Sequence, residues 1–290
     1  MIVVTTPTGA IGSKVVRNLL DHDSKVRVIA RDPERLPDDV RDRIEIVPGS
    51  HADADVVNTA FAGADAVFWL APPNFRAETL DAAYRDFARA ACDAFISQGV
   101  RRVVGVSALG RGTAVADRAG FVTAALAMDD LIAGTGVNFR ALALPGFMDN
   151  VLRDLKDIVE HGVYRTPLRP DLKLPHCATK DIAAAATRLL LDDTWTGQGH
   201  VAVLGPEDIS GNEMAAIMGE VLGRTVHCEH IEPAAFLEGL RASGATEAVV
   251  QGFYDMMTAK NNGLDEGEPR TPEASSPTGF RQWCEENLTR

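Results

Sequence analysis

A glycine-containing turn near the start of the chain has residue types suited to holding a phosphate group. The segment Thr6-Pro7-Thr8-Gly9-Ala10-Ile11-Gly12 lies between an apolar run, Ile2-Val3-Val4, and a helical pattern. The first turn of a helix has unpaired N–H groups and the positive end of the helix dipole, which attract anions. Gly9 lets the backbone approach such an anion, and Gly12 lets the helix lie close to the strand. We predict a pyrophosphate-binding turn with the contacts Thr8, Gly9, Ala10, Ile11 and Gly12.

Thr6 occupies the place where turns of this type usually have their first glycine. That glycine often has a positive φ, which a β-branched residue resists at a cost of about 1–3 kcal/mol. We therefore expect a wider turn in this chain than in the usual motif. The alternative interpretation is a strand, a turn and a helix that bind no ligand.

Arg31 follows the second apolar run, Val26 to Ala30. An acidic residue at this place would bind the 2′-hydroxyl of a ribose, whereas an arginine accommodates a 2′-phosphate. Asp32 is adjacent, and only one of the two side chains can face the ribose. Because Arg31 directly ends the run, with Arg35 nearby as support, we expect NADP(H) to be preferred and NAD(H) to be possible. A solvated loop arginine is the alternative interpretation.

Two further candidate sites follow later apolar runs. Ala71 and Pro72 come after the fourth run, where a loop can wall the adenosine side of a cofactor, although prolines also simply end strands. Ser107 comes after the fifth run, near the expected nicotinamide. Its hydroxyl would hydrogen-bond a substrate carbonyl or the nicotinamide amide, or else the local backbone of a turn.

The chain has no obvious proton donor. Reductases of this shape often use a tyrosine with a lysine four residues later, and none of the 3 tyrosines here has that lysine. Three hypotheses remain open: hydride transfer needs only positioning, another group is the acid, or the protein binds the cofactor without catalysis. The candidate catalytic residues are Ser107, Tyr164 and His161, with His176 as a further candidate acid.

Apolar strand-like runs alternate with helical patterns through residues 1–146, which predicts a parallel sheet wrapped by helices on both faces. We expect an α/β fold of the Rossmann type, a doubly wound parallel sheet with its ligand beyond the carboxyl ends of the strands. Residues 1–146 are predicted to be the NADP-binding domain. The expected strands are 2–4, 26–30, 44–47, 66–70, 102–106 and 138–142, and the expected helices include 76–97 and 118–134.

Residues 147–290 have fewer strand-like runs and many helical ones. We expect a smaller, mostly helical substrate or lid subdomain, interleaved with the first domain in one globular unit. Phe147 and Met148 would line a pocket for an apolar or aromatic small molecule. Dimerisation is an alternative role for these helices, and the sequence leaves monomer and homodimer open. The expected helices are 147–161, 179–192, 210–222, 233–242, 244–260 and 278–288, the strands 199–203 and 225–231, and the loop 261–277.

The composition excludes several classes of partner. A net charge of −12, with no lysine or arginine run, argues against a nucleic-acid surface. No apolar run approaches about 18 residues and no basic segment precedes one, so we expect no membrane span, no signal peptide and a cytoplasmic location. The 4 cysteines are far apart in the sequence and none forms a C-x-x-C pair, so we expect free thiols. Because His176-Cys177 and His227-Cys228 lack zinc-site spacing, we expect no metal.

In their order and spacing, several segments resemble the NmrA-like group of atypical short-chain dehydrogenases/reductases, over nearly the whole chain. Residues 3–12 are similar to the group's V-T-G-A-T-G-x-x-G turn, and residues 28–33 to its second strand ending in R-D/N-P. The resemblance implies a Rossmann fold, an NADP cofactor and a contact between Arg31 and the NADP phosphate. The other similar segments are 63–73 (G-x-D-A-V-F-x-x-x-P-P), 103–108, 144–150 (R-P-G-x-F-M-x-N), 180–183 and 205–210 (G-P-E-x-L-S).

The chain departs from the group's pattern at several positions. Besides Thr6, Gly49-Ser50 replaces a G-D pair whose aspartate often touches the adenine. The segment 124–129 lacks the basic residue that some members place near the nicotinamide, and Leu144 replaces an arginine. The resemblance therefore implies a fold and a cofactor rather than a reaction.

The group includes quinone reductases, enone and ether-type reductases and non-catalytic redox sensors. Our first hypothesis is an NADPH-dependent oxidoreductase that transfers hydride to a small aromatic, quinone-like or enone carbonyl substrate without a Tyr-x-x-x-Lys pair. The alternative is a non-catalytic sensor that binds NADP and reports its redox state to a partner protein. An isomerase, a lyase or a cofactor-free scaffold is the third hypothesis.

Overall fold

Short apolar strands and amphipathic helices alternate along the computed structural model, which describes residues 1–288. The strands are β1 (Ile2–Val4), β2 (Val26–Ala30), β3 (Glu45–Pro48), β4 (Ala66–Trp69), β5 (Arg102–Ala108), β6 (Asn138–Leu144), β7 (Gly146–Phe147), β8 (Val163–Thr166), β9 (Leu174–Cys177), β10 (Gln198–Ala202), β11 (Asp208–Ile209) and β12 (His227–His230). The helices are α1 (Gly12–Asp21), α2 (Asp38–Arg41), α3 (Ala54–Phe61), α4 (Leu80–Ala83), α5 (Arg85–Ser97), α6 (Phe121–Ala133), α7 (Leu155–His161), α8 (Thr179–Leu191), α9 (Gly211–Leu222), α10 (Pro233–Ala242), α11 (Glu247–Lys260) and α12 (Phe280–Asn287).

One large parallel sheet has the strand order β10-β6-β5-β4-β1-β2-β3. Val4 of β1 is level with Val28 of β2 on one side and with Phe68 of β4 on the other. The chain moves outward from β1 to β3 and then returns to β4 on the other side of β1. Such a reversal leaves a crevice beyond the carboxyl ends of β1 and β4, where ligands of doubly wound sheets bind. The predicted Rossmann-type fold is confirmed.

The two faces of this sheet are covered by different helices. Val4 and Val28 belong to an apolar cluster with residues of α1 and α8, whereas Val3 and Ile29 belong to a cluster with α3, α5 and α6. Successive residues of a strand point to opposite faces of the sheet, and here the residues on both faces are apolar. This pattern is typical of a parallel sheet buried on both sides.

The second half contains more strands than we predicted. Strands β7, β9 and β11 form a three-stranded sheet, and β8 pairs with β12. Strand β12 lies within the predicted strand 225–231, but β7, β8, β9 and β11 were missed, because they lack the apolar runs that marked the strands of the first half. The predicted strand 199–203 corresponds to β10, which completes the edge of the large sheet.

Several helix boundaries also differ from prediction. The expected helix 76–97 begins only at Leu80 and is interrupted at Tyr84. The first half of the expected helix 147–161 is a 3-10 helix, Met148–Asp154, followed by α7. Other shifts are small, as for α6 and α11, which begin at Phe121 and Glu247. The predicted loop contains a short 3-10 helix, Leu264–Glu266.

Residues after 146 contribute to both parts of the molecule. Helix α8 and strand β10 belong to the large sheet layer, while α7, α9 and α12 surround a separate apolar cluster with Met218 and Trp283. The division into 1–146 and 147–290 stays a prediction, and its residues 289 and 290 lie outside the described part of the chain. Among the described helices, none combines the length and the apolarity needed to cross a membrane.

Candidate functional site

The predicted phosphate turn is tight, which contradicts our expectation of a wider one. Thr6 has a φ of 52°, the left-handed conformation in which a glycine was expected. Its carbonyl oxygen accepts a hydrogen bond from the N–H of Gly9 at 3.0 Å. The preceding Thr5 fixes the backbone, because its hydroxyl donates to Phe68 O and accepts from Leu70 N, both at 3.0 Å. The surrounding structure therefore imposes on Thr6 a conformation that its β-branched side chain resists.

The helix start behind this turn is suited to an anion. Helix α1 has no side-chain capping bond at Ile11 and no acidic residue in its first turn. The ammonium group of Lys14 adds a positive charge beside the turn, since it donates to Ala10 O at 2.8 Å. The hydroxyl oxygen of Thr6 is buried and has no hydrogen-bond partner within residues 1–288. An unpaired buried hydroxyl and an uncapped helix start fit a dinucleotide pyrophosphate.

Arg31 lies immediately after the carboxyl end of β2 and is exposed. Its neighbour Asp32 is occupied locally, because the carboxylate accepts a hydrogen bond from Glu34 N at 3.2 Å and caps a 3-10 turn. This turn favours Arg31 over Asp32 as the residue that faces a ribose, and that contact stays a prediction. A guanidinium at this position suits a 2′-phosphate.

His51 is a residue of this site that sequence reasoning missed. It lies beyond β3, 7% exposed, with its ring edge-on to Trp69 and Phe87 at centroid distances of 5.2 and 5.0 Å. Its Nε2 is 3.0 Å from Leu70 O, so this nitrogen carries the proton and donates it. Burial, with the Arg31 charge nearby, lowers the pKa of His51 to about 4. The signal available in the sequence was its position after the third strand, beside Gly49-Ser50.

Ala71 and Pro72 follow β4 and are half-buried. Because the Thr5 hydroxyl bonds to Phe68 and Leu70, the ends of β1 and β4 are joined at the crevice. This connection brings Ala71 and Pro72 close in space to the phosphate turn, and their role as a wall of the cofactor site stays a prediction.

Ser107 is not a turn serine with a local partner. It lies near the carboxyl end of β5, is 8% exposed, and its hydroxyl donates to the carboxylate of Asp129. Asp129 lies on α6 and is 3% exposed, and its other oxygen, Oδ1, has no partner within the described residues. Burial raises the pKa of Asp129 to about 7. The sequence signal for this residue was an acid at the end of the apolar stretch Ala124 to Met128.

The other candidate acids lie in unsuitable surroundings. Tyr164 on β8 packs against the apolar cluster of the second half, and burial raises its pKa well above the usual value. His161 ends α7 at the surface, where its ring lies 4.0 Å from Glu160. His176 donates from Nδ1 to Leu174 O at 3.1 Å, and burial lowers its pKa to about 4, so it is neutral at pH 7. These placements favour Ser107 and Asp129 as the groups that handle a proton.

The two residues predicted to line the substrate pocket have different surroundings. Phe147 is half-buried and packs against the large-sheet cluster, whereas Met148 is 2% exposed and belongs to the apolar core of the second half.

The structure also brings together four phenylalanine rings that the sequence analysis did not identify as a group. Phe253 of α11 lies 4.8 Å from Phe121, 5.9 Å from Phe236 and 6.2 Å from Phe75, measured between ring centroids.

This group of four rings, the aromatic cluster, lies at the ligand edge of the sheet. Phe121 is the first residue of α6, and a helix that connects parallel strands begins at the carboxyl-end edge. The loop after β4 is tied to the same place, because Thr246 donates from its N–H to Phe75 O at 3.1 Å and from its hydroxyl to Ala77 O at 2.6 Å. The cluster offers flat apolar surface for an aromatic or conjugated molecule.

A cavity of about 270 Å³ lies elsewhere, on the flank of the sheet between α8, β10 and residues 273–277. It contains none of the residues at the carboxyl ends of β1, β2, β4 and β5. Its size alone is no chemical reason to assign it a ligand. The polar and titratable groups that converge lie instead at the crevice beyond the carboxyl ends of the strands.

Comparison with known proteins agrees with this geometry. A family model described as NAD(P)H-binding matches residues 7–193, and the model of the NmrA-like family matches residues 137–282. The chain is 32% identical to the (4-alkanoyl-5-oxo-2,5-dihydrofuran-3-yl)methyl phosphate reductase of Streptomyces griseus, over 99% of this chain and 98% of that protein.

Two solved structures have the same fold. The triphenylmethane reductase of Citrobacter sp., complexed with NADP(H), has a TM-score of 0.81 at 18% identity and covers 99% of this chain and 100% of its own. The NADPH-dependent quinone oxidoreductase of Escherichia coli, complexed with NADPH, has a TM-score of 0.79 at 19% identity and covers 99% of both chains. The chain therefore belongs to the NmrA-like family of NAD(P)H-binding proteins, which includes NAD(P)H-dependent reductases.

Proposed function

We propose that this protein is an NADPH-dependent reductase of a small conjugated carbonyl compound, an enone or an unsaturated lactone. The observation that carries the proposal is a cofactor-type crevice in a chain 32% identical to a named reductase along almost its whole length. The substrate in that relative's name is an acylated dihydrofuranone, whose carbon–carbon double bond is conjugated with carbonyl groups. The aromatic cluster supports a flat, apolar acceptor for this chain as well.

The cofactor would be held by the residues that follow β1, β2 and β4. The pyrophosphate would lie against Thr8 to Gly12 and the 2′-phosphate against Arg31, with Ala71 and Pro72 beside the adenosine. His51 would wall the adenine side with a neutral ring. Arg31 supports a preference for NADP(H) over NAD(H), since only the former has a 2′-phosphate.

When bound, NADPH supplies a hydride to the electron-poor carbon of the acceptor. The chain's own contribution is to orient the acceptor, to exclude water and to place a donor at its carbonyl oxygen. Ser107 supports the last role, because its hydroxyl is near the carboxyl end of β5. A quinone-like acceptor would use the same arrangement. We expect a cytoplasmic protein, monomeric or homodimeric, which fractionation and light scattering would check.

A non-catalytic NADP sensor is the second candidate function. It is favoured by one observation: α6, the helix that follows β5, contains neither a tyrosine nor a lysine. The buried Ser107–Asp129 pair favours an enzyme instead, since a sensor does not need a carboxyl group whose pKa is raised to about 7.

The test is to follow NADPH absorbance with acyl-dihydrofuranones, with and without a phosphate group, and with enones, quinones and aldehydes. We expect turnover of at least one conjugated carbonyl compound, faster with NADPH than with NADH. Tight NADPH binding without turnover of any acceptor would favour the sensor. Calorimetry without heat for either coenzyme would contradict both functions.

A further inference from the structure

The side chains of Ser107 and Asp129 form an isolated polar pair beneath the ligand edge. Ser107 comes from β5 and Asp129 from α6, and they are 8% and 3% exposed. The serine hydroxyl donates to one carboxylate oxygen, while the other, Oδ1, is buried without a partner in the described chain. An ionised carboxylate has room for several donors, so a single hydroxyl leaves it poorly satisfied.

Few charges face Asp129 from the elements packed around it. The Arg111 guanidinium lies 3.9 Å from it but only 2.9 Å from Asp130, an exposed neighbour on the same helix. A small cavity lies beside Ser107 and Asp129. The other titratable groups that line it are His200 and Glu268, which pair with each other at 2.7 Å. The cavity holds about 10 Å³, room for about one water molecule. Burial therefore dominates, and the pKa of Asp129 rises to about 7.

The serine has a single hydrogen, so the charge of Asp129 decides where that hydrogen goes. When Asp129 is ionised, the hydroxyl of Ser107 donates to the carboxylate, and no hydrogen is left for a substrate. When Asp129 is neutral, its own O–H can donate to the Ser107 oxygen. The serine hydrogen is then free to donate to an oxygen in the crevice.

We propose that neutral Asp129 turns the Ser107 hydroxyl toward the substrate carbonyl oxygen and supplies, through Ser107, the proton that the reduced substrate needs. This inference rests on the proposed enone reduction. Addition of hydride to the β-carbon moves the double-bond electrons toward the carbonyl oxygen, which becomes an enolate oxygen. That oxygen takes the Ser107 proton, Ser107 takes the proton of Asp129, and the carboxylate left behind takes a proton from solvent. Asp129 is thus a positioning residue that acts through Ser107.

The first test is the pH profile of enone reduction. Wild-type kcat/KM should decline as pH rises above about 7. In Asp129→Asn the amide permanently donates to Ser107, so the decline should disappear, while kcat falls with little change in KM because the proton supply is gone. Ser107→Ala should lower kcat on the order of 100-fold. Asp130→Asn is the matched control and should keep the decline.

A second acceptor separates proton supply from structural damage. A cationic triphenylmethane dye becomes neutral when it accepts a hydride and needs no proton. Asp129→Asn should therefore lose much less of its rate with the dye than with an enone, and an equal loss with both acceptors would overturn the relay. Infrared titration of the protein without cofactor gives a readout independent of activity. The difference between the wild-type and Asp129→Asn spectra should contain a protonated carboxyl band, and this band should vanish near neutral pH.

The outcomes distinguish the two proposals. A wild-type protein that reduces no conjugated carbonyl compound would overturn the proposed function, and the relay with it. An active wild type with no protonated carboxyl band above about pH 5, or an Asp129→Asn variant that keeps the high-pH decline, would overturn only the relay.

Discussion

Gly12 lies so close to Thr6 that a Cβ atom on the glycine would stand 2.2 Å from the Thr6 carbonyl oxygen. The obstacle is backbone, which cannot turn away as a side chain can. Thr6 in turn has a φ of 52°. The phosphate turn is therefore set by a glycine that allows the approach and by a threonine held in a strained conformation.

Replacement of Gly12 by alanine should disturb this turn. We expect Gly12→Ala to lower the free energy of unfolding by about 1–3 kcal/mol, the usual cost of overpacking, and to weaken NADPH binding. Urea unfolding and calorimetry measure the two effects. Gly239→Ala in α10 is the control, since nothing lies within 4 Å of a Cβ there. It should be neutral or stabilising by up to about 1 kcal/mol, and equal losses in both variants would contradict the contact.

Replacement of Thr6 by glycine should relieve backbone strain. We expect Thr6→Gly to stabilise the protein by about 1 kcal/mol, because relief of the positive φ outweighs the larger entropy of glycine in the unfolded chain. Thermal unfolding measures the gain. Asp23 also has a φ of 52°, but aspartate tolerates this conformation, so Asp23→Gly should gain less. A Thr6→Gly variant less stable than wild type would show that the threonine is not strained.

Removal of the Arg31 guanidinium should affect one coenzyme selectively. We expect Arg31→Ala to weaken NADPH binding by about 1.5–3 kcal/mol, the usual contribution of a hydrogen bond to a charged group, and to leave NADH binding unchanged. Calorimetry with both coenzymes tests this. Lys25→Ala, at the opposite end of β2, should change neither affinity. Equal weakening of both coenzymes by Arg31→Ala would refute the assignment.

Asp129 should make the protein less stable at high pH. Its pKa in the folded state is about 7, above its ordinary value of 3.8. The contribution of Asp129 to the free energy of unfolding is therefore at its full value below pH 3.8. It is lost as pH rises through 7, by up to about 4 kcal/mol. Asp129→Asn should lack this loss and exceed wild type in urea unfolding above pH 7, whereas Asp130→Asn should behave as wild type. A pH-independent difference between wild type and Asp129→Asn would count against a buried neutral acid.

His51 should have the opposite effect, at low pH. Its pKa falls from 6.5 to about 4 on folding, so the stabilisation is present above pH 6.5 and is lost as pH falls through 4. The total is about 3 kcal/mol. His51→Phe should reduce the loss of stability between these pH values, measured by urea unfolding, while His161→Gln at the surface should not. An unchanged acid transition in His51→Phe would mean that the histidine is not buried neutral.

Much of the fold follows from local pattern. The strands of the first half and α1 were predicted because their apolar residues lie together in the chain, in short runs or at helical spacing. The short strands β7, β8, β9 and β11 have no such spacing, and their pairing is decided by neighbours far away in sequence. The break in the expected helix 76–97 also depends on packing, since helical propensity continues through it.

By itself, the sequence determined the sheet, the helix start after the glycine turn, and the arginine after β2. Each is a short-range feature, in which the residue type and its immediate neighbours dictate the backbone. Only the tertiary structure decided that Thr6 takes a positive φ, that Asp32 is occupied in a turn, and that Asp129 meets Ser107. A hydrogen bond between a strand and a helix depends on how the two pack, and no spacing along one element encodes its partner on another.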